Sequence, residues 1–349
     1  MELTPRLNLR LLTIFFFSLI ALNPFHQAKS YDVVKRFSLI NDRIKTYRAL
    51  DAYNKGFYFD LNLRLNTTLF DLLKEVKGLG PANALAFIQN NNGTEQGFGG
   101  YTAMGLKLPK FKLFRTRFTP ILQFEGGVGT NMGFSDMVFH FYNFANSNLG
   151  TKLLFRYKKR IVGHVRLYTD FKTDVKISKG QNDFANGVGE VEVGNNLNGN
   201  LGLDLELGYR RRRWKVSYRL EDVKLIELMS SKKPETYFYG NQSLMGFHGN
   251  YNWKFKNLKL KALTGLHQRS GHYTWSDTFY LGSELGVDTF KGKIGVFTRF
   301  IMDPEHWNIS LKLKGFIGHL DYLIKKPKKN SIDGVKVSSF HSLSLRLFF

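Results

Sequence analysis

The feature that most constrains this fold is a strict alternation of apolar and polar residues, repeated in stretches of about ten residues. From Phe57 to Asn66, Phe and Leu occupy every odd position, while Tyr, Asp, Asn and Arg occupy the even ones. A period of two is that of a β-strand with one apolar and one polar face. The pattern recurs at 114–125, 163–175, 201–210, 214–221, 245–255, 258–269, 277–290, 293–302 and 308–317.

These strands favour a membrane barrel over a soluble β-sandwich, whose strands also alternate. Soluble strands seldom place so many charged residues in register on one face and Phe, Leu, Trp and Tyr on the other. In a transmembrane barrel the apolar face contacts lipid and the polar face lines the lumen. We therefore predict an all-β fold, a transmembrane antiparallel up-and-down β-barrel with a short N-terminal amphipathic helix.

The first 30 residues have the pattern of an export signal. Arg6 and Arg10 precede a 12-residue apolar segment, 11–22, and Ala28 and Ser30 supply the small residues of a cleavage site. The alternative is an uncleaved anchor, but the apolar segment is shorter than the roughly 20 residues that span a bilayer. Cleavage after Ser30 removes three basic residues and one acidic residue, so the net charge falls from +23 to +21.

The last strand, 337–349, ends in an aromatic residue. One face carries Leu343, Leu345, Leu347 and Phe349, and the other carries Ser342, Ser344 and Arg346. This strand resembles the closing strand of Gram-negative outer-membrane β-barrels, in which a C-terminal aromatic residue is read by the assembly machinery. The resemblance implies that Phe349 is an assembly signal, that the barrel assembly machinery is a partner, and that the chain resides in a bacterial outer membrane.

The connections predict the strand number, because outer-membrane barrels alternate short periplasmic turns with longer extracellular loops. Short turns are predicted at 108–112, 158–160, 211–213, 256–257, 291–292 and 318–319, and longer loops at 67–96, 127–148, 178–199, 226–242, 270–277, 303–307 and 327–336. They delimit about 14 strands, within a range of 12 to 16. Alternating pieces near 137–144 and 187–193 are expected to project beyond the bilayer; if both spanned it, the number would be 16.

Two segments have helical rather than strand periodicity. Within 31–55, Val33, Phe37, Ile40, Ile44 and Tyr47 recur at spacings of three and four residues, as in an amphipathic helix. We expect this helix to plug the lumen or dock a periplasmic partner, or else to lie at the barrel mouth or the membrane interface. A shorter helical pattern at 69–76 is expected to fold inward as a constriction, or else to lie at the mouth or the membrane interface. The predicted domains are a signal peptide (1–30), a periplasmic or plug helix (31–55) and the barrel (56–349).

The net charge of +23 and a pI near 9.9 indicate an anionic partner. Basic runs at 158–160, 210–213 and 325–329 fall in predicted turns and one loop, where they would neutralise phosphates of outer-membrane lipids and lipopolysaccharide. For an exported barrel we therefore expect no nucleic-acid partner.

Motifs for cofactor or metal chemistry are not found in the sequence. The glycine pairs at 127–129 and 187–189 lack the third glycine of a phosphate-binding loop. The nine histidines show no metal-ligand spacing, and a chain without Cys has no thiolate site or disulfide. We expect no cofactor and no metal.

One pair of residues would suit catalysis. Outer-membrane phospholipases carry Ser and His two residues apart on a lipid-facing strand, and Ser339 and His341 share the outward face of the last strand. Their order is the reverse of the phospholipase pattern. The outward residues of the neighbouring strands, Leu320, Tyr322 and Ile324 on one side and 57–65 on the other, are predicted not to orient the imidazole. We therefore expect that the protein is not an enzyme, and a lipid-active hydrolase is the least favoured alternative.

The lumen carries the remaining functional signal. Parity directs these basic side chains inward: Arg64, Arg115, Arg117, Arg166, Lys215, Arg219, Lys254, Lys259, Lys261, Arg299, Lys312, Lys314 and Arg346. The inward acidic side chains are fewer: Asp60, Glu125, Asp170, Asp204, Glu206, Glu221, Glu284 and Asp288. Mixed charges predict a hydrated interior, and the surplus of Lys and Arg would favour small anionic solutes.

In size the chain is similar to the monomeric 14-stranded porins and the long-chain fatty-acid channels, although no motif of a specific family is present. A barrel of about 14 strands is wide enough for a channel unless it is plugged. We therefore predict a monomeric outer-membrane channel for passive passage of small solutes, with an anion bias. The main alternative is a structural or surface-interaction barrel whose paired charges fill the interior and leave no pore.

Overall fold

The computed structural model describes residues 31–49, 57–66, 69, 74, 84–158, 160–180, 196–231, 239, 242–289, 293–329, 331–332, 335–337 and 339–349. Among these residues, the α-helices α1 (Val33–Ala49) and α2 (Ala84–Asn91) and a 3₁₀-helix (Trp275–Asp277) accompany the strands. The strands are β1 (Phe57–Asn66), β2 (Thr94–Lys107), β3 (Phe111–Leu113), β4 (Thr116–Ser135), β5 (Val138–Tyr157), β6 (Ile161–Gly180), β7 (Asn196–Arg210), β8 (Trp214–Ser230), β9 (Leu244–Phe255), β10 (Leu258–Arg269), β11 (Tyr280–Thr289), β12 (Ile294–Met302), β13 (His306–Lys314), β14 (Gly318–Pro327), β15 (Ser331–Ile332), β16 (Val335–Val337) and β17 (Phe340–Phe348). No helix in these residues is long and apolar enough to cross a bilayer.

Fourteen of the strands close into an antiparallel barrel. β1 pairs with β2, β2 pairs with β4, and each strand from β4 to β13 pairs with the next one in the chain. β14 then pairs with β17. β17 then pairs with β1, from Phe348 opposite Tyr58 to Phe340 opposite Asn66, which closes the sheet on itself. The short strands β3, β15 and β16 belong to the same sheet but are not counted among the fourteen, since β3 pairs with β4 beyond the end of β2, β15 pairs with β16, and β16 pairs with β2. The predicted fold class and strand number are confirmed.

The alternation in the sequence becomes the two faces of the barrel wall. On β1 the side chains of Leu63 and Leu65 are exposed on the outside, whereas Asn62 and Arg64 are buried inside. On β13 the residues Ile309, Leu311 and Leu313 are exposed, and the residues between them are buried. A closed barrel with an apolar outer face and a polar inner face has the architecture of a transmembrane β-barrel.

The barrel has two unlike ends. At the end that we call the turn end, short connections join the strands, and Phe57 and Phe349 exchange backbone hydrogen bonds of 3.2 and 2.9 Å. The opposite end, the loop end, carries the longer connections. The predicted turn at 318–319 is wrong, because these residues begin β14 and the turn lies at 315–317.

The long hairpin of β4 and β5 projects at the loop end. The predicted loop 127–148 is wrong, because the ladder continues to Ser135 opposite Val138 and the strands turn at Asp136 and Met137, both with positive φ. The alternating piece at 137–144 belongs to this projecting hairpin and adds no further strand. β6 and β8 likewise extend into the predicted loops 178–199 and 226–242. The piece at 187–193 lies outside the described residues.

Part of the first long loop packs on the outer face of that hairpin. Met132 and Phe134 share the outward parity of Leu122, yet they are buried because Leu69 and, from α2, Ile88 pack against them. This packing removes apolar side chains of the projection from water. The predicted inward constriction is therefore wrong for Leu69; Leu72, Leu73 and Val76 of the same pattern lie outside the described residues.

Candidate functional site

Helix α1 lies inside the barrel. It begins at the loop end, where Tyr31 packs against Gly133 of β4, and runs towards the turn end, where Arg48 pairs with Asp60 of β1 at 2.8 Å. Its side chains contact β2, β5, β8, β10, β12 and β17 as well as β1 and β4. The helix therefore closes the loop-end half of the lumen, and we refer to it below as the plug.

The apolar face predicted for this helix packs against aromatic residues of the wall. The Phe37 ring meets Tyr142 and Tyr239 edge-on, with ring centroids 5.1 and 5.3 Å apart. Tyr47 makes a similar contact with Tyr280 at 5.5 Å. Gly129 of β4 permits the approach, because a Cβ atom there would lie 2.7 Å from the Phe37 ring. This face is the packed core of the loop end.

The polar face of the plug meets carboxylates of the wall. Arg36 donates to Glu95 of β2 and to Glu305, each at 2.9 Å, and Arg43 donates to Glu305 at 2.5 Å. Glu305 lies in the connection between β12 and β13. Burial alone would raise its pKa, but Arg36 and Arg43 hold the pKa at about 2.

Nearer the middle of the plug, Asp42 is the centre of a buried network. Arg269 of β10 donates to both of its oxygens at 2.7 and 2.8 Å, and the hydroxyls of Tyr239 and Tyr273 donate at 2.7 and 2.5 Å. Asp42 and Arg269 are both fully buried. Arg269 also binds Asp222 of β8 at 2.8 Å, so the helix is tied to two strands.

Charge complementarity explains why a helix with this composition enters the lumen. Its one acidic residue, Asp42, accompanies five basic ones (Lys35, Arg36, Arg43, Lys45 and Arg48). The wall supplies carboxylates to four of these cations, including Glu221 for Lys45 at 3.0 Å. Lys35 is the exposed member of the set. The sequence pattern does not reveal the partners Glu95, Arg269, Asp303 and Glu305, which lie 59 to 269 positions away from the helix residues they bind.

Below the plug, a cavity of about 640 Å³ occupies the turn-end half of the lumen. We call it the turn-end cavity. Its upper boundary is formed by Ile44, Lys45 and Arg48 of the plug, and the exposed side chains of Arg117 and Arg156 lie at its turn-end mouth. In the described part of the chain, its lining includes twelve Lys or Arg residues and seven Asp or Glu residues. The cavity is therefore polar and carries a formal excess of cations.

Many of the residues predicted to face the lumen line this cavity. They are Arg64, Arg117, Arg166, Lys215, Arg219, Arg346, Asp60, Glu125, Asp170, Asp204, Glu206 and Glu221. Ion pairs link several of them, such as Arg166 with Glu125 at 2.7 Å and Arg346 with Asp60 at 2.6 Å.

A second group of predicted residues lies on β9 to β13, away from the cavity lining. Glu284 binds both Arg299 and Lys312, and Asp288 binds Lys259. Lys254, Lys261 and Lys314 occupy positions of the same parity on β9, β10 and β13.

Arg115 is the exception among the predicted lumen residues. The structure places it in the turn at Phe114–Arg115, exposed, just before β4 begins at Thr116. Phe114 has a positive φ of 48°, so the chain reverses here and the parity of β4 does not extend to Arg115.

The His341 imidazole of the predicted Ser339 and His341 pair has a hydrogen-bond partner on β14. The Tyr322 hydroxyl lies 2.6 Å from His341 Nδ1, so the prediction that neighbouring strands offer no partner for this imidazole is wrong. Ser339, however, makes no hydrogen bond to His341 among the described residues. The described residues also contain no group of three side chains able to hold a metal ion.

No family model and no curated protein matches the chain. Solved structures that resemble it include CdiB from Acinetobacter baumannii (9% identity, TM-score 0.39, 84% of this chain and 60% of that one). Others are the transport unit of the Escherichia coli autotransporter AIDA-I (8%, 0.36, 92% and 99%) and the Pseudomonas putida toluene transporter TodX (6%, 0.40, 85% and 91%). The chain thus spans less than two thirds of CdiB. At these identities the likeness concerns the barrel fold alone.

Proposed function

We propose that this barrel is an outer-membrane passage for small solutes that rests closed, with the plug as its gate and an anion bias set by the turn-end cavity. The observation that carries the proposal is that the lumen is not filled by the wall. A polar cavity of about 640 Å³ extends from the turn end and stops at one helix. A barrel of this strand number has room for a channel once that helix is displaced.

The way in which the plug is held supports a gate. Ion pairs rather than a continuous apolar core fix its polar face, and buried ion pairs add little net stability compared with apolar packing of the same volume. Charged groups that leave the wall can also be solvated in the water-filled lumen. Displacement of the plug is therefore less costly than extraction of an apolar helix would be.

The charge of the cavity supports the anion bias. An excess of Lys and Arg along a water-filled path lowers the energy of an anion and raises that of a cation. Export by a cleaved signal, assembly through Phe349 and contact of the basic turns with lipid phosphates complete the proposal for an outer-membrane protein.

Planar-bilayer recording tests the channel. We expect the intact chain to conduct rarely, and a variant lacking residues 31–55 to conduct in discrete steps. In a salt gradient, the reversal potential should have the sign of anion preference. The variant R36Q/R43Q, which keeps the helix but removes two anchors, should open more often than K35Q, which changes the exposed lysine of the same helix.

A folded barrel without residues 31–55 that never conducts would contradict the proposal. The closed loop end would then favour the alternative, a structural or surface-interaction barrel without a pore. Reduced gel mobility after heating provides the check that each variant has folded.

A further inference from the structure

Three basic residues form a row across neighbouring strands at the mouth of the turn-end cavity. Lys112 of β3 lies directly opposite Arg117 of β4, and Arg117 lies directly opposite Arg156 of β5. Directly opposed residues in an antiparallel pair point to the same face with Cβ atoms about 5 Å apart, and like charges in such positions repel. We call Lys112, Arg117 and Arg156 the basic row.

The basic row faces the lumen rather than the lipid. Phe111 and Phe118, the directly opposed neighbours on the same two strands, stack on each other at 5.2 Å on the opposite face. Arg117 and Arg156 line the turn-end cavity, as does Lys152, four residues deeper on the same face of β5. A ligand that entered the cavity from the turn end would meet these side chains first.

The basic row differs from other like-charged pairs at the turn end. Arg210 opposes Lys215, but Lys215 is bound by Glu206 at 2.6 Å. Lys254 opposes Lys259, but Lys259 is bound by Asp288. Among the described residues, no carboxylate forms an ion pair or hydrogen bond with Lys112, Arg117 or Arg156. The other pairs have internal counter-charges, and the basic row has none.

We propose that the basic row is a binding site for a soluble, phosphate-bearing small molecule that enters from the turn end; this rests on the proposed function and names its substrate class. Guanidinium groups bind phosphate oxygens in a bidentate manner, and two opposed arginines can hold adjacent phosphate groups. A cavity of about 640 Å³ is within the usual range for small-molecule sites. Lipid headgroups share this chemistry, but the lipid side of the same strands carries the stacked phenylalanines.

Equilibrium dialysis of the full-length chain in neutral detergent, with inorganic pyrophosphate as the probe, tests this site. The wild-type chain should bind pyrophosphate saturably, and R117Q/R156Q should weaken the affinity about tenfold or more. The matched control is R211Q/R212Q, which removes the same charge from an exposed turn that does not line the cavity. The variant R117K/R156K keeps the charge but loses the planar guanidinium groups, so its affinity for pyrophosphate should fall between those of the wild type and R117Q/R156Q. It also provides a second test if R117Q/R156Q fails to fold.

Three results would overturn the proposal. The first is a wild-type chain that fails to bind pyrophosphate at millimolar concentration. The second is an equal loss of affinity in R117Q/R156Q and R211Q/R212Q, which would indicate binding to net charge alone. Micelles containing phosphatidylglycerol could also engage the basic row without competition from pyrophosphate, which would assign the row to lipid. Dialysis measures binding independently of ion conductance. Pyrophosphate binding without conductance would therefore contradict the proposed channel and support the binding site, and conductance without binding would contradict the binding site and support the channel.

Discussion

The two ends of the lumen use positive charge in opposite ways. At the loop end two cations of the plug, Arg36 and Arg43, each meet a carboxylate of the barrel. At the turn end the cations belong to the wall itself, and the basic row has no carboxylate partner among the described residues. Deeper in the turn-end cavity, Arg166 and Arg346 are paired with carboxylates, so it is the basic row at the mouth, and not the cavity as a whole, that differs from the loop end. The placement of carboxylates therefore separates the cations that hold the plug from the cations that can bind a ligand.

The same comparison explains how a helix rich in Lys and Arg can occupy a basic barrel. Burying an ion pair gains little net free energy, but removing one partner leaves a charge in a dry environment at a large cost. Ion pairs of this kind specify where the helix sits. The loop-end carboxylates, including Glu95 and Glu305, accept the plug, whereas the basic row would repel it.

The largest effect on stability is expected when one partner of a buried loop-end ion pair is removed and the other is kept. R269M leaves Asp42 buried with only tyrosine donors, and it should lower the free energy of unfolding by about 3–5 kcal/mol. Urea unfolding in lipid vesicles, followed by Trp fluorescence, measures this loss. D42N/R269M should lose less than R269M alone, because no unpaired charge then remains at position 42.

The matched control for that experiment is R211M, which removes an arginine from an exposed turn at the turn end. Surface substitutions of this kind change stability by about 0.5 kcal/mol or less. If R269M cost no more than R211M, the paired charges would not be what holds the loop end, and the contrast between the two ends would fail.

The next effect concerns pH. The pKa of Glu305 is lowered to about 2, so its contribution is fully present above its unfolded pKa near 4.5 and is lost as pH falls through about 2. The difference in free energy of unfolding between wild type and E305Q should therefore shrink by up to about 3 kcal/mol between pH 5 and pH 2. The matched control, E227Q, removes an exposed acid from β8, and its difference from wild type should change little. If the stability difference from wild type depended on pH equally in E305Q and E227Q, the low pKa assigned to Glu305 would be contradicted.

The sequence predicts which strand residues face into and out of the barrel, but it does not predict the contacts of the helix inside the barrel. Alternation is local, so residues such as Leu63 and Arg64 reveal their faces without knowledge of any partner. The sites of Asp42 and Arg43 depend on Arg269, Asp303 and Glu305, which the fold brings from more than 200 positions away. An isolated amphipathic helix gives no sign that its polar face will be buried against opposite charge.

Two errors at the connections have equally physical causes. The turn at Asp136 and Met137 contains neither Gly nor Pro, the two strongest turn signals, and a loop was predicted in place of a tight hairpin. Met132 and Phe134 alternate like lipid-facing residues, but they are covered by Leu69 and Ile88. Periodicity reports which side a residue faces and does not report what lies on that side.

The smallest effect sharpens the comparison from the turn end. R156Q removes one member of a directly opposed like-charged pair, so without added anion it should raise the free energy of unfolding by about 0.2–1 kcal/mol. A bound anion stabilises only the folded chain that holds it, and stabilisation grows with ligand concentration. Adding pyrophosphate should therefore stabilise wild type more than R156Q and reverse their order, while R211Q should follow wild type at every concentration. If R156Q were less stable than wild type without pyrophosphate, the basic row would have a counter-charge of its own, and the turn end would resemble the loop end after all.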